Sequence, residues 1–180
     1  NRHGDSRRTS SDRRQGGDAA HTLIPSPSHL SLHSNSTDGR VVAFTSTASN
    51  LADTGEQVYR RIFMRFLDHD TTVLASVDGQ GNDLGPASRP RVSASGRFVA
   101  FLCGQTTALE LVVKDMKSGA LETVSAGAGN HDISADGRFV SYSLEGQVYR
   151  YDRQSQTSVL VSNHAGEPAN GTSTRTVISG

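Results

Sequence analysis

What the chain has little of narrows it first. Its 180 residues hold one cysteine, no tryptophan, four tyrosines and six phenylalanines, and 18 basic side chains stand against 18 acidic ones. A lone thiol excludes an intrachain disulfide and a cysteine-built metal cluster. Without tryptophan, a stacking platform for sugars or single-stranded bases is poorly supplied. Zero formal charge removes the electrostatic footprint of nucleic acid or an anionic membrane surface, so neither partner is expected. No apolar run approaches the roughly 18 residues that a bilayer span needs, and the Arg-rich start has no apolar stretch behind it to make a signal peptide. A 3.6-residue apolar period nowhere lasts three turns, so helices should be few. Cys103 lies in the apolar run 98–103 and reads as core filling rather than a reactive thiol.

What is present is unevenly spread. Of the 38 Val, Ile, Leu and Phe residues, only Leu23, Ile24, Leu30 and Leu32 precede residue 41. Residues 1–22 carry Arg2, Arg7, Arg8, Arg13 and Arg14 among Ser, Gly and Asp. Such a segment cannot bury enough surface to offset its ordering entropy. Pro25 and Pro27 then mark a linker. Residues 1–29 are therefore expected to be a disordered tail or linker, and 30–180 to hold the fold.

Repetition is the most informative signal. Thr37-Asp38-Gly39-Arg40-Val41-Val42-Ala43-Phe44 recurs as Ala94-Ser95-Gly96-Arg97-Phe98-Val99-Ala100-Phe101, and again as Ala135-Asp136-Gly137-Arg138-Phe139-Val140-Ser141-Tyr142. Ile178-Ser179-Gly180 matches Ile133-Ser134-Ala135, so the chain is expected to stop inside a further copy. Asp-Gly ahead of a β-rich run predicts a two-residue type I′ hairpin turn with positive φ at both central positions, and Ser95-Gly96 is a weaker version of it. After the turn, Val42 and Phe44, Val99 and Phe101, and Val140 and Tyr142 share one face. Val41 and Ala43, Phe98 and Ala100, and Phe139 and Ser141 take the other, so each strand is expected to be covered on both sides. The small residues Ala43, Ala100 and Ser141 predict a close approach of another layer.

Three further segments, 62–68, 111–115 and 148–152, each read as a strand ending in Asp, followed by strands at 72–76, 121–125 and 158–162. Four short antiparallel strands per repeat are the mark of a β-propeller blade. The expected fold class is all-β, a β-propeller fragment of about three four-stranded antiparallel blades. Their expected limits are about 30–90, 91–131 and 132–175, with a fourth repeat starting at 176–180. Propellers usually need about 4 to 8 blades to close, so the remaining blades are expected in cis, and open copies should expose apolar faces and unpaired edges.

Ser134-Ala135-Asp136-Gly137-Arg138-Phe139-Val140-Ser141-Tyr142, with Asp152 and Ser162 behind it, resembles the WD-like repeat of TolB-type β-propellers. Thr45-Ser46-Thr47-Ala48-Ser49-Asn50-Leu51 resembles a longer variant found in secreted and periplasmic bacterial repeat proteins. The resemblance covers roughly residues 33–180 and implies an exported protein, periplasmic or extracellular. The first copy departs from it at Asn35 and Arg60-Arg61, and the turn after Asp68 is about two residues short, so an irregular first blade is expected.

No residue is assigned to catalysis, cofactor binding or metal binding. A Gly-x-Ser-x-Gly elbow is missing, and 24 Ser with seven His give a large chance background for any Ser/His pair. His131-Asp132 reads as a turn pair at a blade entrance. His3, His21, His29, His33, His69 and His164 lack paired metal spacing. The oxygen-rich Asp78-Gly79-Gln80-Gly81-Asn82-Asp83 lacks the ligand spacing and distal Glu of a calcium loop and reads as a blade connection, as do residues 127–130 and 163–166. No glycine-rich phosphate cradle leads a strand into a helix. Arg40, Arg97 and Arg138 could ring an anionic ligand, but the stronger reading pairs each with a blade Asp or lays its stem on apolar surface. Two functions stay open. One is a non-catalytic scaffold that binds a protein or ligand through its loops. The alternative is the propeller accessory domain of a prolyl-oligopeptidase-like serine peptidase.

Overall fold

The computed structural model describes residues 33–51, 59–105 and 109–179. The expected tail, residues 1–29, lies outside them, as does the start of the first expected blade.

Three antiparallel sheets follow one another, each a simple meander of four strands. The first holds β1 (His33–Asn35), β2 (Val41–Ser46), β3 (Arg61–Phe66) and β4 (Thr71–Leu74). The second holds β5 (Ala87–Val92), β6 (Phe98–Cys103), β7 (Glu110–Asp115) and β8 (Leu121–Ala126). The third holds β9 (His131–Ile133), β10 (Phe139–Leu144), β11 (Gln147–Asp152) and β12 (Thr157–Leu160). A two-stranded ribbon, β13 (Asn163–His164) and β14 (Glu167–Pro168), follows. One 3-10 turn, Leu67–His69, is the only helix among the described residues. The first strands of successive sheets lie against one another while the fourth strands fan apart.

The expected limits at 90/91 and 131/132 are corrected, because each cuts through a first strand. The cause in β5 is a bulge between Ser88 and Arg91, which breaks the alternation that sequence patterning relies on. A second correction concerns the turn. Gly39, Gly96 and Gly137 have φ of 71°, 73° and 74°, whereas Asp38, Ser95 and Asp136 are not left-handed. Each turn closes with a bond from the glycine N–H to the carbonyl of Ser36, Ser93 or Ser134. Only one residue per turn has positive φ, so the two-residue type I′ hairpin is replaced by a five-residue connection.

Side chains lock that connection. The Ser36 hydroxyl donates to Asp38 Oδ1 at 2.6 Å and accepts from the Val41 N–H at 3.0 Å. Ser134 and Asp136 repeat this at 2.6 Å, with the Phe139 N–H at 2.9 Å. Ser93 accepts the Phe98 N–H in the same way at 3.1 Å. These bonds hold the Asp38 and Asp136 carboxyls below the usual range, the serine hydroxyl being the largest cause in both.

Packing follows the strand alternation. Between sheets one and two, Val41, Ala43, Ile62 and Met64 bury against Val99, Phe101, Cys103 and Val112. Between sheets two and three, the opposite face of β6 and β7, with Ala100, Leu102, Leu111 and Val113, buries against Ile133, Val140, Tyr142 and Tyr151. Each Val, Ile, Leu, Met or Phe side chain among them contributes about 1.5–3 kcal/mol when fully buried, so the middle sheet is stabilised from both sides.

The first sheet is offset. Val41 pairs with Phe66, where Phe98 pairs with Asp115 and Phe139 with Asp152. Phe66 therefore holds the strand-ending position, and Asp68 belongs to the 3-10 turn beyond it. The expected strand 62–68 is corrected to Arg61–Phe66, which also accounts for the short turn.

Candidate functional site: the blade seams and their open ends

One repeat position joins successive sheets. The Thr37 N–H donates to the Ala94 carbonyl and the Ala94 N–H to the Ala135 carbonyl, both at 3.0 Å. These three residues are equivalent in the repeat. Beside them, a methyl group placed on Gly96 would stand 2.5 Å from Val41 Cγ2, and one on Gly137 would stand 2.2 Å from the Phe98 ring. Glycine is thus required twice over, for its left-handed backbone and as the seat of the preceding sheet's apolar side chain.

A third position reaches backwards. Lys114 and Tyr151 occupy the same place, opposite Val99 and Val140. The buried Lys114 ammonium donates to the carbonyls of Val77 and Asp78 at 2.8 and 2.9 Å. Burial pulls its pKa down, against the smaller opposing pull of Asp78. Tyr151 donates to Glu122 Oε1 at 2.9 Å, and Arg153 holds Glu122 Oε2 at 2.8 Å. Burial, with the Glu122 bond second, pushes the Tyr151 phenol up to about 12. In the first sheet the equivalent residue, Arg65, turns to its own sheet and pairs with Asp70 and Thr72.

The same fan of four-stranded units occurs in solved structures. TolB from Acinetobacter baumannii aligns at TM-score 0.52 and 16% identity, over 73% of this chain and 32% of that one. The β-propeller domain of the Trilobed protease from Pyrococcus furiosus aligns at 0.52 and 17%, over 72% and 41%. The acylaminoacyl peptidase of Pyrococcus horikoshii aligns at 0.50 and 18%, over 72% and 24%. The three sheets have the fold of β-propeller blades. The chain spans less than half the length of each of these proteins. No protein-family model and no curated relative matches the chain.

Within the propeller, Arg97 forks onto Asp115 with bonds of 3.0 and 2.7 Å, and Arg138 onto Asp152 with the same two lengths. These pairs hold Asp115 well below the usual carboxylate range and bring Asp152 down to about 2. The guanidinium groups also lie over Phe98 and Phe139, at 4.7 and 4.8 Å from the ring centres. Arg40 makes one 3.0 Å contact to Asp68, reached from the 3-10 turn. The three repeat arginines are thus engaged within their blades rather than gathered around a ligand.

The Asp78–Asp83 connection satisfies its own oxygens. Asp78 accepts the N–H groups of Gln80 and Asn82, each at 2.8 Å, and the Asn82 amide at 2.8 Å. Lys114 occupies the carbonyls that a cation would seek. Among the described residues, no group of three or more His, Cys, Asp or Glu could hold a metal ion.

His131 and Asp132 do not form a dyad. His131 is buried, with Nδ1 3.4 Å from the Gly129 carbonyl and no partner for Nε2, and burial lowers its pKa to about 4. Asp132 accepts the Ile178 N–H at 3.1 Å and stands 3.9 Å from Arg91. Cys103 is buried in the first seam, and burial, with Glu110 nearby, raises its thiol to about 11. Sequence reasoning missed Lys114, Tyr151 and Glu122, because equivalent positions carry unrelated residue types and no motif flags them.

Proposed function

We propose that the chain belongs to a longer, non-catalytic propeller that binds a protein or ligand partner through its loops. What supports the longer propeller is a seam that no described residue fills. Gly39 has the same left-handed backbone as Gly96 and Gly137, yet no described atom lies within 4 Å of where its side chain would start. Leu67, equivalent to the seam residues Met116 and Arg153, is 54% exposed. A neighbouring blade with a Val or Phe at the Val41 position would fill that seat.

At the other end, residues 173–178 lie along blade three as a first strand does. Ser173 donates to the Gly146 carbonyl at 2.7 Å as Ala87 does to Arg60 at 2.8 Å. The Ile178 N–H meets the Asp132 side chain as the Val92 N–H meets Ser34. Both ends thus have the geometry of blade-on-blade contact, which supports further blades in cis and leaves the connecting loops for recognition.

The second reading, an accessory domain of a serine peptidase, is favoured by the likeness to an acylaminoacyl peptidase. Labelling the longest natural product of the gene with a fluorophosphonate decides between them. No adduct supports the scaffold; a single serine adduct supports the peptidase. Fractionating the producing cells tests the exported location implied by the resemblance.

A further inference from the structure

The arginines that the repeat motif singles out are used up inside the blades, so the ones left over are more informative. Among the described residues, Arg40, Arg61, Arg65, Arg91, Arg97, Arg138 and Arg153 each face a carboxylate within 4.0 Å. Arg150 lies over the Phe139 ring at 4.7 Å. Arg60, Arg89 and Arg175 show neither kind of partner among the described residues, and Arg60 and Arg89 line one cavity of about 300 Å³ beside β5, next to Leu102 and Ala128 of the second seam. Its apolar wall is Leu102, Leu109 and Ala128, and Ser88 adds a hydroxyl. No carboxylate lines it among the described residues.

Two features hold the pair in place. The Arg60 carbonyl accepts the Ala87 N–H at 2.8 Å, which ties its backbone to the start of β5 two residues before Arg89. Arg89 itself sits in the β5 bulge with φ of 57°, a left-handed conformation costly for a residue with a long side chain. A bulge re-aims the side chain it carries, and here it carries an arginine that lines the cavity.

We propose that this cavity binds a small oxyanion, carboxylate or phosphate, carried on a short apolar body. Two guanidinium groups supply paired donors for the oxyanion, and an apolar wall beside them receives the body. The volume is at the low end for a small-molecule site, which limits the occupant to a fragment of that size. The proposal rests on the scaffold reading and names a ligand class for it.

The test is calorimetric titration of the full chain with N-acetyl-leucine, isoamyl phosphate and N-acetyl-leucine amide. Saturable binding of either anion, with none of the neutral amide, is expected, and the tighter anion identifies the oxyanion. Arg60→Gln and Arg89→Gly should each weaken binding about tenfold, and together abolish it. Glycine suits the left-handed backbone at position 89, so the melting curve of that variant should hold or rise. Binding of neither anion, equal binding of the amide, or unchanged affinity in the double variant would overturn the proposal. None of those results touches the scaffold reading, which stands or falls on the fluorophosphonate label.

Discussion

The two complete seams join the same backbones with different chemistry. Between blades one and two, Val41 packs beneath Gly96 with Met116 in the same apolar cluster, and the backward-reaching side chain is an ammonium on two carbonyls. Between blades two and three, Phe98 packs beneath Gly137, the Arg153 guanidinium lies 4.4 Å from the ring centre, and the backward-reaching side chain is a phenol on Glu122. The interblade backbone bond measures 3.0 Å in both. The turn and its glycine therefore set how blades stack, and the surrounding side chains need only fill and satisfy the space that stacking leaves.

The comparison breaks most sharply at the glycines. Gly137→Ala should destabilise the chain by about 3 kcal/mol, from a left-handed alanine plus a methyl driven into the Phe98 ring. Gly96→Ala should cost somewhat less, since a valine methyl can shift more easily than a ring; urea denaturation of both variants checks the order.

His131 makes the second seam sensitive to acid. Its folded pKa of about 4 lies below the ordinary 6.5, so the unfolded chain takes up the proton first as pH falls. The stability it contributes is complete above pH 6.5 and is lost as pH drops towards 4, about 3 kcal/mol in all. Below that window Asp152, with its pKa of about 2, adds a further loss. His131→Asn should flatten stability against pH between 6.5 and 4 while leaving the lower limb unchanged. A profile in which both limbs persist would show that His131 is not the group responsible.

Lys114→Met sharpens the first seam. It leaves the Val77 and Asp78 carbonyls without the ammonium and should cost about 1–3 kcal/mol. Tyr151→Phe in the second seam removes one hydrogen bond while Arg153 still holds Glu122, and should cost about 1 kcal/mol. The smallest effect is expected at Gly39→Ala, about 1 kcal/mol from the left-handed backbone alone, because nothing described lies near the added methyl. In a chain extended by a preceding blade, the same substitution should become as costly as Gly96→Ala. Equal effects with and without that blade would remove the unfilled seam from the account.

Much of this architecture was readable from spacing. Alternation along 41–44, 98–101 and 139–142 placed the right side chains on the right faces, because a strand has a fixed period of two and each blade is covered by its neighbours. The repeat arginines were correctly paired with blade aspartates in copies two and three. Copy one misled the reading: Phe66 stands at the equivalent place, and an Asp two residues later looked like the match. Arg89 gave no signal at all, since a bulge is defined by what lies opposite it in another strand.

Composition and period by themselves decided that this chain is all-β, repetitive and glycine-hinged, because those properties follow from local backbone preference and side-chain alternation. Tertiary structure alone decided which glycine seats which neighbour, where the Lys114 ammonium ends, and which arginines line the cavity beside β5. Those are contacts between residues tens of positions apart, and no local rule of the chain encodes them.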